Sequence, residues 1–157
     1  MNRIREFYHL IGDKEVERVE QSMRLHNISQ GEVTIEFENS IADFLGVKHA
    51  VAVSNGTSAL LLSLMALGVG PHSEVIVPNR TFIATAHAPL LLGAKVVLVD
   101  AEPNRPILNV SKTEERITKN TKVIIPAHLN GRSVDMAEIN SLAEKYSISV
   151  IEDAAQA

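Results

Sequence analysis

The sequence contains no cysteine, which excludes disulfides and thiolate chemistry and fits a cytoplasmic protein. It has no basic excess either. Fifteen Lys and Arg stand against 19 Asp and Glu, and the net charge of -4 argues against the basic face of a nucleic-acid binder. The polar N-terminus, Met1 to Arg5, leads into no apolar signal core. The longest apolar run, Ala59 to Val69, is interrupted by Ser63 and Gly68 and is too short to span a bilayer. Repeats, low-complexity tracts and linkers are lacking. So are the common nucleotide fingerprints, the Walker A loop and G-x-G-x-x-G. His49, His72 and His87 have no partners at metal-ligand spacing, so no metal site is expected.

What is present is an alternation of helix and strand signals. Residues 13–25 read as a helix, with Val16, Val19 and Met23 at near-helical spacing and Asp13 as its cap. A polar loop, 26–34, leads to a second amphipathic helix over 35–45, with Phe37, Ile41, Phe44 and Leu45 on one side and Gly46 as its stop. Residues 50–53 are expected to form the first core strand. A buried helix over 59–67 follows, ended by Gly68. Then come a strand at 75–77 closed by Pro78, a helix at 81–92 capped by Thr81, and a strand at 95–99. After the loop 103–110, a short helix over 111–117 has capping-box spacing from Ser111 to Glu114. A strand at 122–125, a helix at 134–146 with Asp135 near its start, and a strand at 147–151 complete the chain. Such alternation predicts an α/β fold with a mostly parallel sheet and helices on both faces.

The stretch Val51-Ala52-Val53-Ser54-Asn55-Gly56-Thr57-Ser58-Ala59-Leu60 organises the rest. A strand, a tight turn and a helix start expose free backbone N–H groups at one point, where the helix dipole adds positive charge. Gly56 lets the backbone approach a ligand, and Thr57 and Ser58 supply hydroxyls. This reads as a phosphate cup, with ordinary helix capping as the alternative.

Ligands of parallel sheets sit at the carboxyl ends of the strands, here Ser54-Asn55, Pro78-Asn79, Asp100, Pro126 with His128, and Glu152-Asp153. A carboxylate at Asp153 could pair with a protonated ring nitrogen, whose charge would hold it ionised against burial. A pyridoxal 5'-phosphate (PLP) ring needs such a partner, because its electron-sink role depends on a protonated pyridine nitrogen. The alternative for Asp153 is a helix cap. Gln156, three residues on, could donate to a phenolate oxygen, and Glu152 is expected to point away. Phe82 could cover one face of a flat ring or belong to the core. His128 is either a reactive group or a satisfied loop residue, and Arg80 is a candidate anion contact.

Several blocks together resemble the DegT/StrS-type sugar aminotransferases, which are fold-type I PLP enzymes. They are Ser54-Asn55-Gly56-Thr57-Ser58-Ala59-Leu60, Glu74-Val75-Ile76-Val77-Pro78, Thr81-Phe82-Ile83-Ala84-Thr85, Gly93-Ala94-Lys95, Val99-Asp100, Pro126-Ala127-His128-Leu129-Asn130-Gly131 and the ending Val150-Ile151-Glu152-Asp153-Ala154-Ala155-Gln156-Ala157. The resemblance implies that Gly56, Thr57 and Ser58 hold the PLP phosphate and that Phe82 stacks on the ring. It gives Asp153 the pyridine nitrogen and Gln156 the phenolic oxygen. It further implies a homodimer that moves an amino group, usually from glutamate, to a keto sugar linked to a nucleotide. Residues 1–34 would be an N-terminal helix and loop, and 35–157 the first portion of the PLP-binding large domain.

The family's Schiff-base lysine lies downstream of the Asp-containing block. Lys48, Lys95, Lys119, Lys122 and Lys145 match no such position, so the chain reads as an incomplete N-terminal part that alone does not catalyse transamination. Pro71-His72-Ser73-Glu74 departs from the family's usual Gly-Asp before the Glu, a change in a turn. Other readings are a sugar dehydratase of the same family, a non-catalytic truncated protein that binds a partner, and a generic nucleotide-binding domain.

Overall fold

The computed structural model describes residues 10–26 and 28–157, so the polar N-terminus read above lies outside the described residues. The chain forms two compact units, one up to Ala52 and one from Val53 to Ala157.

The first unit holds two helices, α1 (Asp13–Arg24) and α2 (Glu32–Leu45). Gly12, and not Asp13, is the cap of α1; its N–H donates to Glu15 Oε2 at 2.7 Å. Asp13 is instead the first helical residue, where a negative charge suits the dipole. Helix α2 begins three residues before the expected start, because Glu32 likewise fits a first turn and Gly31 takes the cap position. Gly46, at φ 65°, ends it as expected. Arg18 and Glu36 form an ion pair between the two helices. The apolar side expected on α2 is not covered: Phe37, Phe44 and Leu45 are exposed, and Ala42 is its buried residue.

Residues 50–53 correct the sequence reading. They run into the second unit without pairing to any strand among the described residues, and Val51 is 77% exposed. A β-branched run becomes a strand only when a neighbour takes its backbone groups. Here the Ala52 N–H is taken by the Glu38 carboxylate at 2.8 Å.

The second unit contains α3 (Gly56–Ala66), β1 (Glu74–Pro78), α4 (Ala84–Leu91), β2 (Lys95–Val99), α5 (Val110–Glu114), β3 (Thr121–Ile124), α6 (Met136–Tyr146) and β4 (Ser149–Val150). The four strands are parallel, in the order β2-β1-β3-β4. The expected α/β sheet with two covered faces is therefore what forms. The period of two along β1 divides the core. Val75 and Val77 pack with Leu60 and Leu64 of α3 and Ala84 and Ala88 of α4. Ile76 faces the other way and packs with Ile139 and Leu142 of α6. Chain order reverses between β1 and β3, the switch point at which parallel sheets open a ligand crevice.

Three element ends differ from expectation for local reasons. Helix α4 starts at Ala84; residues 81–83 form a turn in which the Thr85 N–H donates to the Phe82 carbonyl at 3.1 Å. Thr81 is thus not a cap. Asn109, and not Ser111, caps α5 by accepting the Lys112 N–H at 3.0 Å. Strand β4 starts only at Ser149, because Ser147 ends α6 in the left-handed region at φ 55° and is not extended.

Candidate active site

At the start of α3, Asn55 is the cap, its Oδ1 accepting the Ser58 N–H at 2.9 Å. Capping and anion binding are compatible here. The N–H groups of Gly56 and Thr57 precede the capped one and take no partner among the described residues, nor does the Thr57 hydroxyl. A Cβ placed on Gly56 would meet nothing within 4 Å, so the glycine relieves no clash and leaves that side of the turn open. The Ser58 hydroxyl lies 3.0 Å from that of Ser54.

Asp153 is fixed by its backbone in a parallel bridge to Ala127, with its N–H donating to the Pro126 carbonyl at 2.9 Å and its carbonyl accepting from His128 at 3.0 Å. Its Oδ2 accepts the Thr85 hydroxyl at 2.6 Å, and its Oδ1 has a long contact to the Ala155 N–H at 3.4 Å. No Lys, Arg or His pairs with it among the described residues.

Gln156 is held on the loop after β3. Its Oε1 accepts the Asn130 N–H at 3.2 Å, and its carbonyl accepts the Gly131 N–H at 3.0 Å. Those two donors are presented by consecutive left-handed residues, Asn130 at φ 55° and Gly131 at φ 69°, a conformation that Asn and Gly adopt most readily. With its oxygen engaged, the Gln156 side chain keeps an NH2 group for a ligand acceptor. His128 is buried, and both ring nitrogens are engaged. Nδ1 accepts the Val134 N–H at 3.2 Å, which places the proton on Nε2, 2.9 Å from Glu152 Oε2. Glu152 reaches His128 and not the site, as its neighbouring position on an extended chain requires.

These elements surround one hollow of about 300 Å³. Among the predicted residues, Gly56, Thr57, Phe82, His128, Asp153 and Gln156 line it. Ser58 and Arg80 do not; Arg80 is exposed on the turn after β1. Leu60, Ala127 and Leu129 add apolar wall. Thr85 is the residue that sequence reasoning missed. It is fully buried and bonded to Asp153 and to Thr81 in the turn before α4, and a threonine within an apolar helical stretch gave no signal of this in the sequence. No lysine lines the hollow.

The donor set suits a phosphorylated, flat, cationic heterocycle. The lining of the hollow includes free N–H groups and a hydroxyl from Gly56 and Thr57, the exposed ring of Phe82, and the Asp153 carboxylate, which has no cation among the described residues. PLP has this pattern of groups.

Two other carboxylates at strand ends are already matched with cations. Asp100, after β2, accepts Lys112 Nζ at 2.7 Å and Asn79 Nδ2 at 3.0 Å, and the Lys112 hydrogen bond chiefly holds its carboxyl below the usual range. Glu74, at the amino end of β1, accepts Lys95 Nζ at 2.7 Å and the Thr118 hydroxyl at 2.5 Å; these bonds, the lysine first, lower its pKa despite burial.

Fold and hollow together define an α/β domain with a ligand crevice at a sheet switch point. The model of the DegT/DnrJ/EryC1/StrS aminotransferase family matches residues 9–157, and the chain belongs to that family. It is 49% identical over 129 residues to GDP-perosamine synthase of Caulobacter vibrioides, covering 82% of this chain and 35% of that protein. It is 45% identical to UDP-2-acetamido-2-deoxy-3-oxo-D-glucuronate aminotransferase of Pseudomonas aeruginosa, covering 93% of this chain and 41% of that protein. The crystal structure of NtdA from Bacillus subtilis with bound cofactor PMP superposes with a TM-score of 0.86 at 36% identity, covering 93% of this chain and 34% of that one. The chain thus spans well under half the length of these relatives. Among the described residues, no helix is long and apolar enough to cross a membrane.

Proposed function

We propose that this chain supplies the cofactor-binding part of a PLP-dependent aminotransferase that places an amino group on a nucleotide-linked keto sugar. Glutamate is the proposed donor, and a cytoplasmic homodimer the proposed assembly. The observation that carries this reading is Asp153: a carboxylate at the switch-point crevice, bonded to a buried threonine and given no cation among the described residues. The names of the perosamine synthase and the UDP-oxo-sugar aminotransferase support the sugar class.

Bound PLP supplies an electron sink for bond changes at the amino-bearing carbon. The residues of this chain hold that group and set its charge. The Gly56 and Thr57 N–H groups and the Thr57 hydroxyl bind the phosphate dianion at the positive end of α3. Phe82 covers one ring face and keeps water from it. Asp153 holds a proton at the ring nitrogen, since an ionised acid at hydrogen-bond distance favours the protonated ring. The Gln156 NH2 group donates to the phenolic oxygen. His128, with its proton directed to Glu152, forms wall and positions the loop that carries Asn130 and Gly131. Lysine chemistry is not assigned to this chain's lysines.

The test uses pyridoxamine phosphate (PMP), which forms no covalent link to lysine, so non-covalent binding is read alone. Calorimetric titration of the 157-residue chain should show saturable binding that pyridoxamine without its phosphate does not match and that inorganic phosphate weakens. Absence of binding, or equal binding of pyridoxamine, contradicts the reading.

A further inference from the structure

We infer that Thr85 is a positioning residue for the cofactor's ring nitrogen, acting through Asp153 as the second member of a one-way hydrogen-bond chain that begins at Thr81. This rests on the functional reading above and deepens it.

The direction of the chain follows from donor counts. An ionised Asp153 carboxylate only accepts, so the 2.6 Å contact to Oδ2 takes the single hydroxyl proton of Thr85. The Thr85 oxygen is then an acceptor toward Thr81, whose hydroxyl lies 2.9 Å away and must be the donor. Thr85 is fully buried and cannot turn to water instead. Its backbone adds a second constraint. The Thr85 N–H donates to the Phe82 carbonyl, so the residue that holds Asp153 also fixes the turn carrying the candidate ring-stacking side chain.

The consequence for the carboxylate is asymmetric. Oδ2 is held by a short bond, whereas Oδ1 has only the 3.4 Å contact to the Ala155 N–H. One oxygen is therefore an anchor and the other is available to a cation in the hollow. A second hydroxyl feeding the first strengthens both bonds, because hydrogen bonds in series polarise each other. Thr85 does not line the hollow and acts on the ring through Asp153; Thr81 lines the hollow and donates to Thr85.

The experiment compares wild type with Thr85→Val, Thr85→Ser and Thr81→Val in two readouts. These are PMP affinity by calorimetry and the 15N resonance of PMP labelled at its ring nitrogen, which reports protonation. Circular dichroism melts accompany each variant. Thr85→Val should weaken binding about tenfold, the loss of one hydrogen bond to a charged group, and move the ring-nitrogen resonance toward the unprotonated position. Thr85→Ser restores the hydroxyl and should return both readouts to near wild type. Thr81→Val removes the feeding hydroxyl while keeping the side chain's size at the hollow's wall, and should weaken binding about threefold. If Thr85→Val does not fold, the Thr81→Val loss and the wild-type behaviour of Thr85→Ser carry the test. Equal deficits in Thr85→Val and Thr85→Ser would show that packing of the methyl, and not the hydroxyl, matters, and would overturn the inference. So would wild-type affinity and resonance in Thr85→Val, or in Thr81→Val where that variant carries the test. Failure of the wild type to bind PMP would bring down the functional reading itself, and this inference with it.

Discussion

Two carboxylates in this chain receive a threonine hydroxyl at nearly the same distance, and they stand at opposite ends of the sheet. Glu74, at the amino end of β1, accepts Thr118 at 2.5 Å; Asp153, beyond the carboxyl end of β4, accepts Thr85 at 2.6 Å. The difference is the cation. Glu74 has Lys95 Nζ at 2.7 Å, whereas Asp153 has none among the described residues and faces a hollow. One is a closed structural pair joining β1 to β2. The other has its anchor in place and its charge partner left to a ligand. Asp153 is only partly buried, yet it faces the hollow, is anchored to a buried threonine and has no cation among the described residues, an arrangement that suits a cationic ligand.

The largest expected effect sharpens that contrast. Asp153→Ala should reduce PMP affinity about 100-fold, the loss of a charged hydrogen-bonded pair, while shifting unfolding free energy by less than about 1 kcal/mol. Titration calorimetry and urea melts on the same samples check both halves. The opposite pattern is expected for Glu74→Gln: a stability loss of about 2 kcal/mol with PMP affinity unchanged within about twofold.

Acid should expose the same pair. The folded pKa of Glu74 lies below its ordinary value of 4.5, because Lys95 and Thr118 favour the ionised form. Its contribution is therefore fully present above that ordinary value and is lost as pH falls through the lower folded pKa. Urea melts should show wild type and Glu74→Gln converging in stability on acidification. A gap that stays constant would contradict the assignment.

Two smaller effects separate neighbours in the α3 turn. Thr57→Val should weaken PMP binding about tenfold and Ser58→Ala about twofold, because Thr57 lines the hollow with a free hydroxyl while that of Ser58 is shared with Ser54. Phe82→Ala should reduce affinity about fivefold through lost ring contact, with little change in the melt because the side chain is 64% exposed.

Much of this was legible from the residues. The β-branched runs at 75–77 and 95–99, each bounded by a turn residue, identified two strands, and Gly46, Gly68 and Gly93 ended helices at positive φ where the pattern placed them. Gly56 and Thr57 were marked by a turn before a helix start, His128 and Asp153 by strand ends, Phe82 by a helix start and Gln156 by its spacing from Asp153, and the fold gathers all six around one hollow. The misses have physical causes. Residues 50–53 have strand composition, but composition carries no information about a partner, and none is present among the described residues. Ser58, in the first turn of α3, does not line the hollow, and its hydroxyl lies 3.0 Å from that of Ser54. Arg80 is exposed and does not line the hollow. Thr85 was hidden because a threonine inside an apolar helix reads as helix; only the fold shows that its hydroxyl meets a residue 68 positions away.

Asp153, which has no cation among the described residues, is proposed to pair with a protonated heterocycle. The most direct measurement is the 15N spectrum of ring-labelled PMP bound to the wild-type chain, at a pH where the free ring is unprotonated, read beside Asp153→Asn and Glu74→Gln. The account predicts a protonated ring nitrogen in wild type and in Glu74→Gln, and an unprotonated one in Asp153→Asn. A ring nitrogen that is unprotonated in the wild type, or equally protonated in Asp153→Asn, would contradict it.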